Sequence, residues 1–181
     1  MKALVEDLFE YTKVRQTEAP INIINVNLDQ MLEQLAASFE LEASKQNIKM
    51  LSNTKPANLM IEADAEKLGR VFSNLIANGL KYGQGATYIK LEARQKDANV
   101  IIHVSNDGAP IPPKSLDHLF ERFYRVEESR SKATGGTGLG LAIVQSIVDL
   151  HHGTVHAESN DKETSFIVEL PMQRAIADKE K

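Results

Sequence analysis

Four glycines lie within residues 135–140, and an apolar run over residues 141–150 follows them directly. Glycine lets the backbone approach a ligand closely, and the amide groups at the start of a helix attract anions. This stretch therefore predicts a phosphate cradle at the beginning of a helix. A mobile linker has the same composition, so the prediction needs support from other segments.

The composition is that of one domain with short appendages, because 181 residues with 42% hydrophobic content can bury one good core. No apolar run approaches the roughly eighteen residues that span a bilayer, and Met1 and Lys2 lead into acidic residues rather than a signal peptide. The lack of Cys excludes disulfides, thiolate metal sites and Cys nucleophiles. A formal net charge of −4 disfavours nucleic acid binding. We expect a soluble chain that contacts neither nucleic acid nor membrane.

The N-terminal part of the chain divides into a helix and a linker. The apolar spacing of residues 1–16 predicts one helix stripe, either a terminal helix lying on the domain or the end of a helix from a bundle. Pro20 breaks this period, and residues 17–27 predict a linker followed by an edge strand. We expect the main domain over residues 28–171 and a polar tail over residues 172–181.

Hydrophobic periodicity predicts three helices and several short strands in the main domain. Glycines end the second helix at Gly83 and the third at Gly153. In chain order the predicted elements are a helix over 28–39, strands over 48–51 and 59–61 around a turn, a helix from Asp64 to about Tyr82, a hairpin of strands over 87–93 and 100–104, a helix over 141–150, and strands over 154–158 and 164–170.

The second predicted helix carries an unusual polar stripe beside its apolar face. Asn74, Asn78, Lys81 and Tyr82 follow one another at helical spacing. Asn is a poor helix former, so two of them one turn apart have a cost that a plain solvated face avoids with Glu or Lys. The stripe therefore indicates either a binding face or a polar surface.

Two loops complete the set of candidate segments. Residues 105–112 form a polar turn after a strand, where binding residues tend to lie, although an ordinary Asn-Asp-Gly turn explains it as well. The long polar run 127–136 has almost nothing to bury, and such loops are usually functional or disordered. We expect Phe120 and Phe123 to pin its base to the core, while Arg125 offers donors to phosphate.

Taken together, four of these segments resemble sensor histidine kinases, in the order found in that family. The match covers residues 28–171, the catalytic and ATP-binding domain, and residues 1–16 resemble the end of the dimerisation and phosphotransfer hairpin. Residues 158–171 resemble sensor kinases of the vancomycin-resistance type. The motifs are the N box at 74–82, the G1 box at 106–112, the F box at 120–125 and the G2 box at 136–141.

This resemblance implies an α/β fold of the Bergerat type. It is a two-layer α/β sandwich, in which a mixed sheet of about five strands carries three main helices on one face. A short helix from a truncated bundle would precede it. ATP would lie between the helix over 64–82 and a mobile lid over 113–137.

The resemblance also assigns ATP and Mg²⁺ as cofactors. It implies that Asn78 ligates Mg²⁺ through its amide oxygen, that Lys81 and Arg125 neutralise the phosphates, and that backbone amides around Gly138 cradle them. Thr164 would reach the adenine side through water. The implied ATP contacts are Asn74, Asn78, Lys81, Tyr82, Asn106, Asp107, Gly108, Ile111, Phe123, Arg125, Gly136, Thr137, Gly138, Leu139, Gly140, Leu141 and Thr164.

Asn74 separates this chain from relatives that hydrolyse ATP. In gyrase and the heat-shock chaperones a Glu at this position activates water, and Asn cannot act as that base. The resemblance thus implies transfer of the γ-phosphoryl group to a protein histidine, with catalytic roles for Asn74, Lys81 and Arg125.

Two positions depart from the family pattern. In the frame set by Gly108, Asn106 replaces the Asp that accepts a hydrogen bond from the adenine amino group. Asn106 can accept from that group and donate to the adjacent ring nitrogen, whereas Asp107 takes this role if the turn shifts by one residue. Glu163 replaces a Gly before Thr164.

None of the five histidines lies in a stretch that resembles the phosphoacceptor box. The pair His151 and His152 diverges on a helix, so interaction with the helix C-terminus is favoured over metal binding. By resemblance, the acceptor histidine lies on the chain's own dimerisation hairpin, upstream of these residues. The intact protein would be a homodimer that passes the phosphoryl group to a response regulator, and this piece its cytoplasmic domain beneath a bacterial membrane anchor.

Two other functions stay open at this point. One is a serine kinase of the anti-sigma type, for which residues 1–27 would be superfluous. The other is a nucleotide-binding module without transfer activity, in which ATP gates partner binding. Asn106 and Glu163 favour that second alternative.

Overall fold

The computed structural model describes residues 21–126 and 136–173. The helix predicted over residues 1–16, the middle of the predicted lid and most of the C-terminal tail lie outside these residues. In chain order the described elements are β1 (Ile24–Asn27), α1 (Leu28–Lys45), β2 (Lys49–Lys55), β3 (Met60–Ala63), α2 (Ala65–Tyr82), β4 (Tyr88–Lys96), β5 (Asn99–Asn106), α3 (Pro113–Leu116), α4 (Gly140–Leu150), β6 (Thr154–Ser159) and β7 (Thr164–Pro171).

Five strands form one mixed sheet in the order β2-β4-β5-β7-β6. The pair β2 and β4 is parallel, and the other pairs are antiparallel. Alternate residues such as Ile89 and Leu91 are fully buried under α1, α2 and α4, whereas Lys90 and Glu92 lie partly exposed on the opposite face. The predicted two-layer sandwich with three main helices on one face is therefore confirmed.

Helix α2 has the bounds that its sequence predicts. The Asp64 carboxylate caps it by accepting a hydrogen bond from the Lys67 backbone N–H at 3.0 Å, and Gly83 donates to the Gly79 carbonyl at its end. Its apolar stripe is almost completely buried, and the polar stripe beside it meets the start of α4 at Asn74. The buried residues are Leu68, Val71, Phe72, Leu75, Ile76, Gly79 and Leu80.

The strands predicted on either side of Pro56 form, but they do not pair with each other. Strand β2 joins the five-stranded sheet, with Met50 opposite Ile89. Strand β3 pairs with β1 in a separate two-stranded sheet, with Val26 opposite Ile61. The strand expected after Pro20 is thus β1, and it provides the partner for β3. The turn at Pro56 connects two sheets rather than the arms of a hairpin.

Helices α2 and α4 pack side by side and run in opposite directions. The start of α4 faces the middle of α2, because a methyl group added at Gly140 would lie 3.7 Å from Asn74 Oδ1. At the other end, Nε2 of the buried His151 accepts the Asp64 backbone N–H at 3.0 Å, and its Nδ1 donates to the Ile147 carbonyl at 2.8 Å. The predicted contact of His151 with the end of its helix is confirmed.

Asp64 also fixes the point at which the chain enters the domain. Its Oδ2 accepts the backbone N–H of Asn22 at 2.9 Å and lies 3.5 Å from the Lys67 ammonium. Burial by itself would raise the pKa of this carboxyl, but these partners and the Lys67 backbone N–H hold the pKa below its usual value. Asp64 therefore joins the entering chain, α2 and α4. No helix of residues 21–126 and 136–173 is long and apolar enough to cross a membrane.

Candidate functional site

A cavity of about 410 Å³ opens between the C-terminal half of α2 and the start of α4. Its volume lies in the range of pockets that hold small-molecule ligands. All of the predicted ATP contacts line it except Asp107, Gly108, Phe123 and Leu139. The lining residues are Asn74, Ala77, Asn78, Gly79, Lys81, Tyr82, Gly83, Gln84, Asn106, Ala109, Pro110, Ile111, Pro112, Leu119, Tyr124, Arg125, Val126, Gly136, Thr137, Gly138, Gly140, Leu141, Thr164 and Phe166.

The polar stripe of α2 faces this cavity, and Lys81 is also exposed to solvent. Asn74, Asn78, Lys81 and Tyr82 all line it. The Nδ2 atom of Asn74 is buried and has no hydrogen-bond partner among the described residues. Buried amide donors are nearly always paired, so this atom offers a hydrogen bond to whatever fills the cavity. The stripe therefore forms one wall of the cavity.

Two glycines just before α4, Gly136 and Gly138, have neighbours that lie too close for a side chain. A methyl group at Gly136 would collide with the Tyr82 hydroxyl and lie 3.3 Å from Lys81 Nζ. Gly138 has a φ of 72°, and a methyl group there would lie 2.8 Å from the Phe123 Cα. Bare backbone thus closes over the α2 stripe, as expected of a phosphate cradle.

The charge of the cavity also suits an anion. Lys81 and Arg125 line it, and none of its described lining residues is Asp or Glu. No group of three or more His, Asp or Glu within residues 21–126 and 136–173 is arranged to hold a metal. A hard cation would take the Asn78 amide oxygen and complete its shell from water and phosphate oxygens. The residues present therefore fit Mg-ATP, with the metal depending on the nucleotide.

The other end of the cavity lies where β5 ends and β7 begins. Asn106 and Thr164 oppose each other in the sheet, and both side chains are buried. Thr164 Oγ1 lies 2.6 Å from Ser159 Oγ, which accepts the Ile111 backbone N–H at 2.8 Å. These hydrogen bonds tie the turn after β5 to the β6–β7 connection and give this end of the cavity fixed polar walls.

Asp107 points away from the cavity and caps the start of β4. Its Oδ1 accepts the backbone N–H groups of Thr87 at 2.7 Å and Tyr88 at 3.1 Å, and its Oδ2 accepts the Thr87 hydroxyl at 2.6 Å. Burial by itself would raise the pKa of this carboxyl, but these hydrogen bonds hold the pKa below its usual value. The turn keeps the frame in which Asn106 meets the cavity.

Phe123 does not pin the loop to the core as its sequence suggests. Its side chain is 60% exposed, because a φ of 61° turns the backbone and directs the ring outward. The contribution of Phe123 is its backbone N–H, which donates to the Gly138 carbonyl at 2.8 Å. Phe120 does pack inward, edge-on to Phe166 with ring centroids 6.4 Å apart.

Glu163 lies on the open face of the sheet. Its carboxylate accepts the Tyr88 hydroxyl at 2.8 Å and lies 3.6 Å from the Lys90 ammonium. The bond to Glu163, with burial second, raises the pKa of the Tyr88 phenol. Because this side chain turns away, Thr164 keeps its place in the cavity despite the departure from glycine at 163.

The sequence did not predict several residues of the cavity wall. The most important are Gly79, within α2, and Gly83, directly after it. A methyl group at Gly83 would lie 2.8 Å from Asn106 Oδ1, and one at Gly108 would lie 2.6 Å from the Gly83 carbonyl carbon. A methyl group at Gly79 would lie 3.1 Å from Ile89 Cδ1. In the sequence Gly83 indicates only the end of a helix. Its second role, as a bare stretch of cavity wall against the turn at Gly108, is visible only in the structure.

Known proteins resemble this chain over most of its length. A family model described as "Histidine kinase-, DNA gyrase B-, and HSP90-like ATPase" matches residues 63–174. The chain is 35% identical to the sensor protein VanS of Enterococcus faecium, over 99% of this chain and 46% of that protein. It therefore spans less than half the length of this curated relative.

Solved structures of histidine kinases have the same fold. The nucleotide-free catalytic domain of histidine kinase ThkA superposes with a TM-score of 0.74 at 28% identity, covering 84% of this chain and 97% of that one. The complex of ThkA with the response regulator protein TrrA superposes with a TM-score of 0.77 at 25% identity, covering 94% of this chain and 47% of that one.

Proposed function

The chain belongs to the family of histidine kinase-, DNA gyrase B- and HSP90-like ATPases, and we propose that it is the ATP-binding catalytic domain of a sensor histidine kinase. The proposed reaction transfers the γ-phosphoryl group of Mg-ATP to a histidine that is not among these 181 residues and lies on the helical hairpin that residues 1–16 would close. A response regulator would then receive the group. VanS and ThkA, two named relatives, support this reading.

The observation that carries the proposal is a phosphate-suited cavity without a base for water. Its described lining residues include Lys81 and Arg125 but no carboxylate. Asn74, the first residue of the α2 stripe, offers a buried amide donor. A carboxamide cannot remove a proton from water, so the site is suited to hold ATP and protect it from hydrolysis.

Each residue of the site has a role that its position supports. ATP, when bound with Mg²⁺, would supply the phosphoryl group and its leaving group. Asn78 would give the metal its single protein ligand, and Asn74 would orient the phosphates by donating from Nδ2. Lys81 and Arg125 would neutralise negative charge, and the backbone at 136–140 would exclude water above it.

The partners proposed for the whole protein follow from the same family. Residues 1–16 would close the dimerisation and phosphoacceptor hairpin, residues 17–27 would link it to the domain over 28–171, and residues 172–181 would be a polar tail. The complex of ThkA with TrrA supports a response regulator as the second partner. We infer a cytoplasmic domain of a membrane-anchored bacterial homodimer.

The two departures that favoured a module without transfer activity are accommodated by the fold. Glu163 turns to the open face of the sheet, and Asn106 keeps its place in the cavity wall. Neither departure removes a group that the proposed transfer needs. The serine kinase alternative has no observation in its favour.

Radiolabelled ATP and a separate acceptor test the proposal. With the 181-residue chain alone, ATP should bind, no histidine should become labelled, and phosphate release should stay at a slow background. A separately produced dimeric hairpin that bears a phosphoacceptor histidine should then become labelled. The labelling should be weak, because loss of the covalent link also removes the effective concentration that it provides.

Two results separate the alternative functions, and a third tests the role of Asn78. Rapid steady hydrolysis by the chain alone would identify an ATPase. Tight ATP binding without transfer to any hairpin would favour the gating module. If Asn78→Ala transfers the phosphoryl group as well as the unchanged chain does, Asn78 is not the metal ligand.

A further inference from the structure

Asn106 is the buried polar side chain that faces the end of the cavity remote from the α4 glycines. It is 5% exposed and lies at the last position of β5, opposite Thr164 at the first position of β7. Lys81 Nζ lies 3.3 Å from a methyl group built at Gly136, so the phosphates belong at that end. A nucleotide therefore presents the edge of its base to Asn106 and Thr164.

The orientation of the Asn106 carboxamide is fixed by its own turn. Its Oδ1 accepts the Gly108 backbone N–H at 3.0 Å, which an amide nitrogen could not do. Its Nδ2 lies on the side of Gly79, where an added methyl group would be 3.7 Å away. Both Asn106 and Gly79 line the cavity. The wall thus presents an N–H₂ donor together with the second lone pair of Oδ1.

No carboxylate competes with this carboxamide among the described lining residues. Asp107 is engaged by Thr87 and Tyr88, and Glu163 is engaged by Tyr88 and Lys90. The Thr164 hydroxyl, the other buried polar group at this end, can also donate or accept. The two buried polar groups at this end, Asn106 and Thr164, are therefore neutral, and each can both donate and accept a hydrogen bond.

Purines differ at this edge in the direction of their hydrogen bonds. A 6-amino purine donates from position 6 and accepts at ring nitrogen 1, and a 6-oxo purine reverses both. A carboxylate only accepts, so it repels the oxygen of a 6-oxo purine, whereas a carboxamide can pair with either arrangement. A site rejects an analogue strongly when binding it leaves a buried polar group without a hydrogen-bond partner. The Asn106 carboxamide can find a partner on either base, so it gives no such penalty.

We propose that this cavity accepts 6-amino and 6-oxo purine nucleoside triphosphates alike, with Asn106 as the residue that sets this breadth. The inference rests on the proposed function, since it concerns the base of the same nucleotide. It predicts that inosine triphosphate, which differs from ATP only at this edge, is an alternative phosphoryl donor for the same site.

Competition binding in Mg²⁺ with ATP and inosine triphosphate tests the proposal. We expect the two dissociation constants of the unchanged chain to lie within about tenfold of each other. Asn106→Asp should keep ATP binding and weaken inosine triphosphate by about tenfold or more, the scale of one mispaired hydrogen bond. Asp107→Asn is the matched control. It makes the opposite exchange at a side chain outside the cavity and should leave the ratio unchanged.

The outcomes distinguish this inference from the function beneath it. Preference for ATP by more than about tenfold in the unchanged chain, or an equal ratio in Asn106→Asp, overturns the inference and leaves the kinase assignment intact. Failure of both nucleotides to bind a chain that unfolds cooperatively overturns the proposed function and the inference together.

Discussion

The backbone N–H of Asp64 donates a hydrogen bond to Nε2 of His151 over 3.0 Å, between residues 87 positions apart in the chain. The other ring nitrogen donates to the Ile147 carbonyl at 2.8 Å. Because one ring nitrogen accepts while the other donates, these two bonds require the neutral form of the imidazole. His151 therefore acts as a structural connector between the start of α2 and the end of α4.

Replacing this connector should destabilise the fold. His151→Ala leaves the Asp64 N–H without its partner and opens a gap at a side chain that is 7% exposed. We expect a loss of about 2–4 kcal/mol in the free energy of unfolding, measured by urea denaturation at neutral pH. His156→Gln is the control, because His156 is exposed on β6 and should change stability by less than about 0.5 kcal/mol. Equal effects of the two substitutions would contradict the connector role.

The depressed pKa of Asp64 predicts an acid-sensitive contribution to stability. Since the folded-state pKa lies below the unfolded value, the unfolded chain binds the proton more readily, and the contribution present at neutral pH is lost as the pH falls through the folded pKa. Asp64→Asn keeps a good helix cap and removes the charge. The unchanged chain should exceed this variant in stability near pH 7.

The check is a series of urea denaturation curves for both proteins from pH 7 downward. Their difference in free energy of unfolding should shrink below about pH 4, where the unfolded carboxyl begins to titrate. A difference that stays constant down to the lowest pH at which both fold would show that the charge of Asp64 has no stabilising role.

Asn78→Ala should uncouple ATP binding from Mg²⁺. The side chain faces a cleft, so its loss should leave the fold intact while removing the single protein ligand proposed for the metal. Titration calorimetry should show ATP affinity reduced about tenfold or more in Mg²⁺ and little changed in a chelator. Asn25→Ala, on the exposed side of β1, should match the unchanged chain in both conditions. Unaltered Mg-ATP affinity in Asn78→Ala would exclude Asn78 as the ligand.

Two glycines of α2 should respond differently to substitution by alanine. Nothing lies within 4 Å of a methyl group built at Gly69, so Gly69→Ala should raise the free energy of unfolding by about 0.5–1 kcal/mol through helix propensity. A methyl group at Gly79 meets Ile89 Cδ1 at 3.1 Å and stands beside Asn106 in the cavity wall. Gly79→Ala should therefore gain no stability and should weaken ATP binding. Thermal unfolding and ATP titration of both variants measure the contrast, and a stabilised Gly79→Ala with normal ATP binding would refute it.

Local patterns in the sequence were sufficient for most elements. The bounds of α2 follow from the Asp64 cap, the apolar stripe and Gly83, and the β4–β5 hairpin follows from simple alternation. Partners remote in the chain were not readable. Strand β2 pairs in parallel with β4, although β3 and α2 lie between them in the chain. Strand β3 pairs with β1, although α1 and β2 lie between them. Neither pairing can be predicted from the sequence around Pro56, because that sequence specifies only a turn.

The candidate site was predictable to the same degree. The stripe at Asn74 and Asn78 and the glycines that follow residue 135 locate both walls of the cavity, because helical spacing and bare backbone are local properties. The direction of a side chain in a loop is not local. Phe123 turns outward through a left-handed backbone, and the carboxylate of Asp107 turns to the start of β4.

The hydrogen bond from Asn22 to Asp64 couples the entering chain to the start of α2. The entering chain is attached at the first turn of the helix, while Asn74 lies ten residues further on, a span of about 15 Å along a rigid rod. The start of α2 and the cavity wall at Asn74 therefore belong to one rigid element, so a shift of the entering chain at Asn22 would be carried along the helix to the cavity.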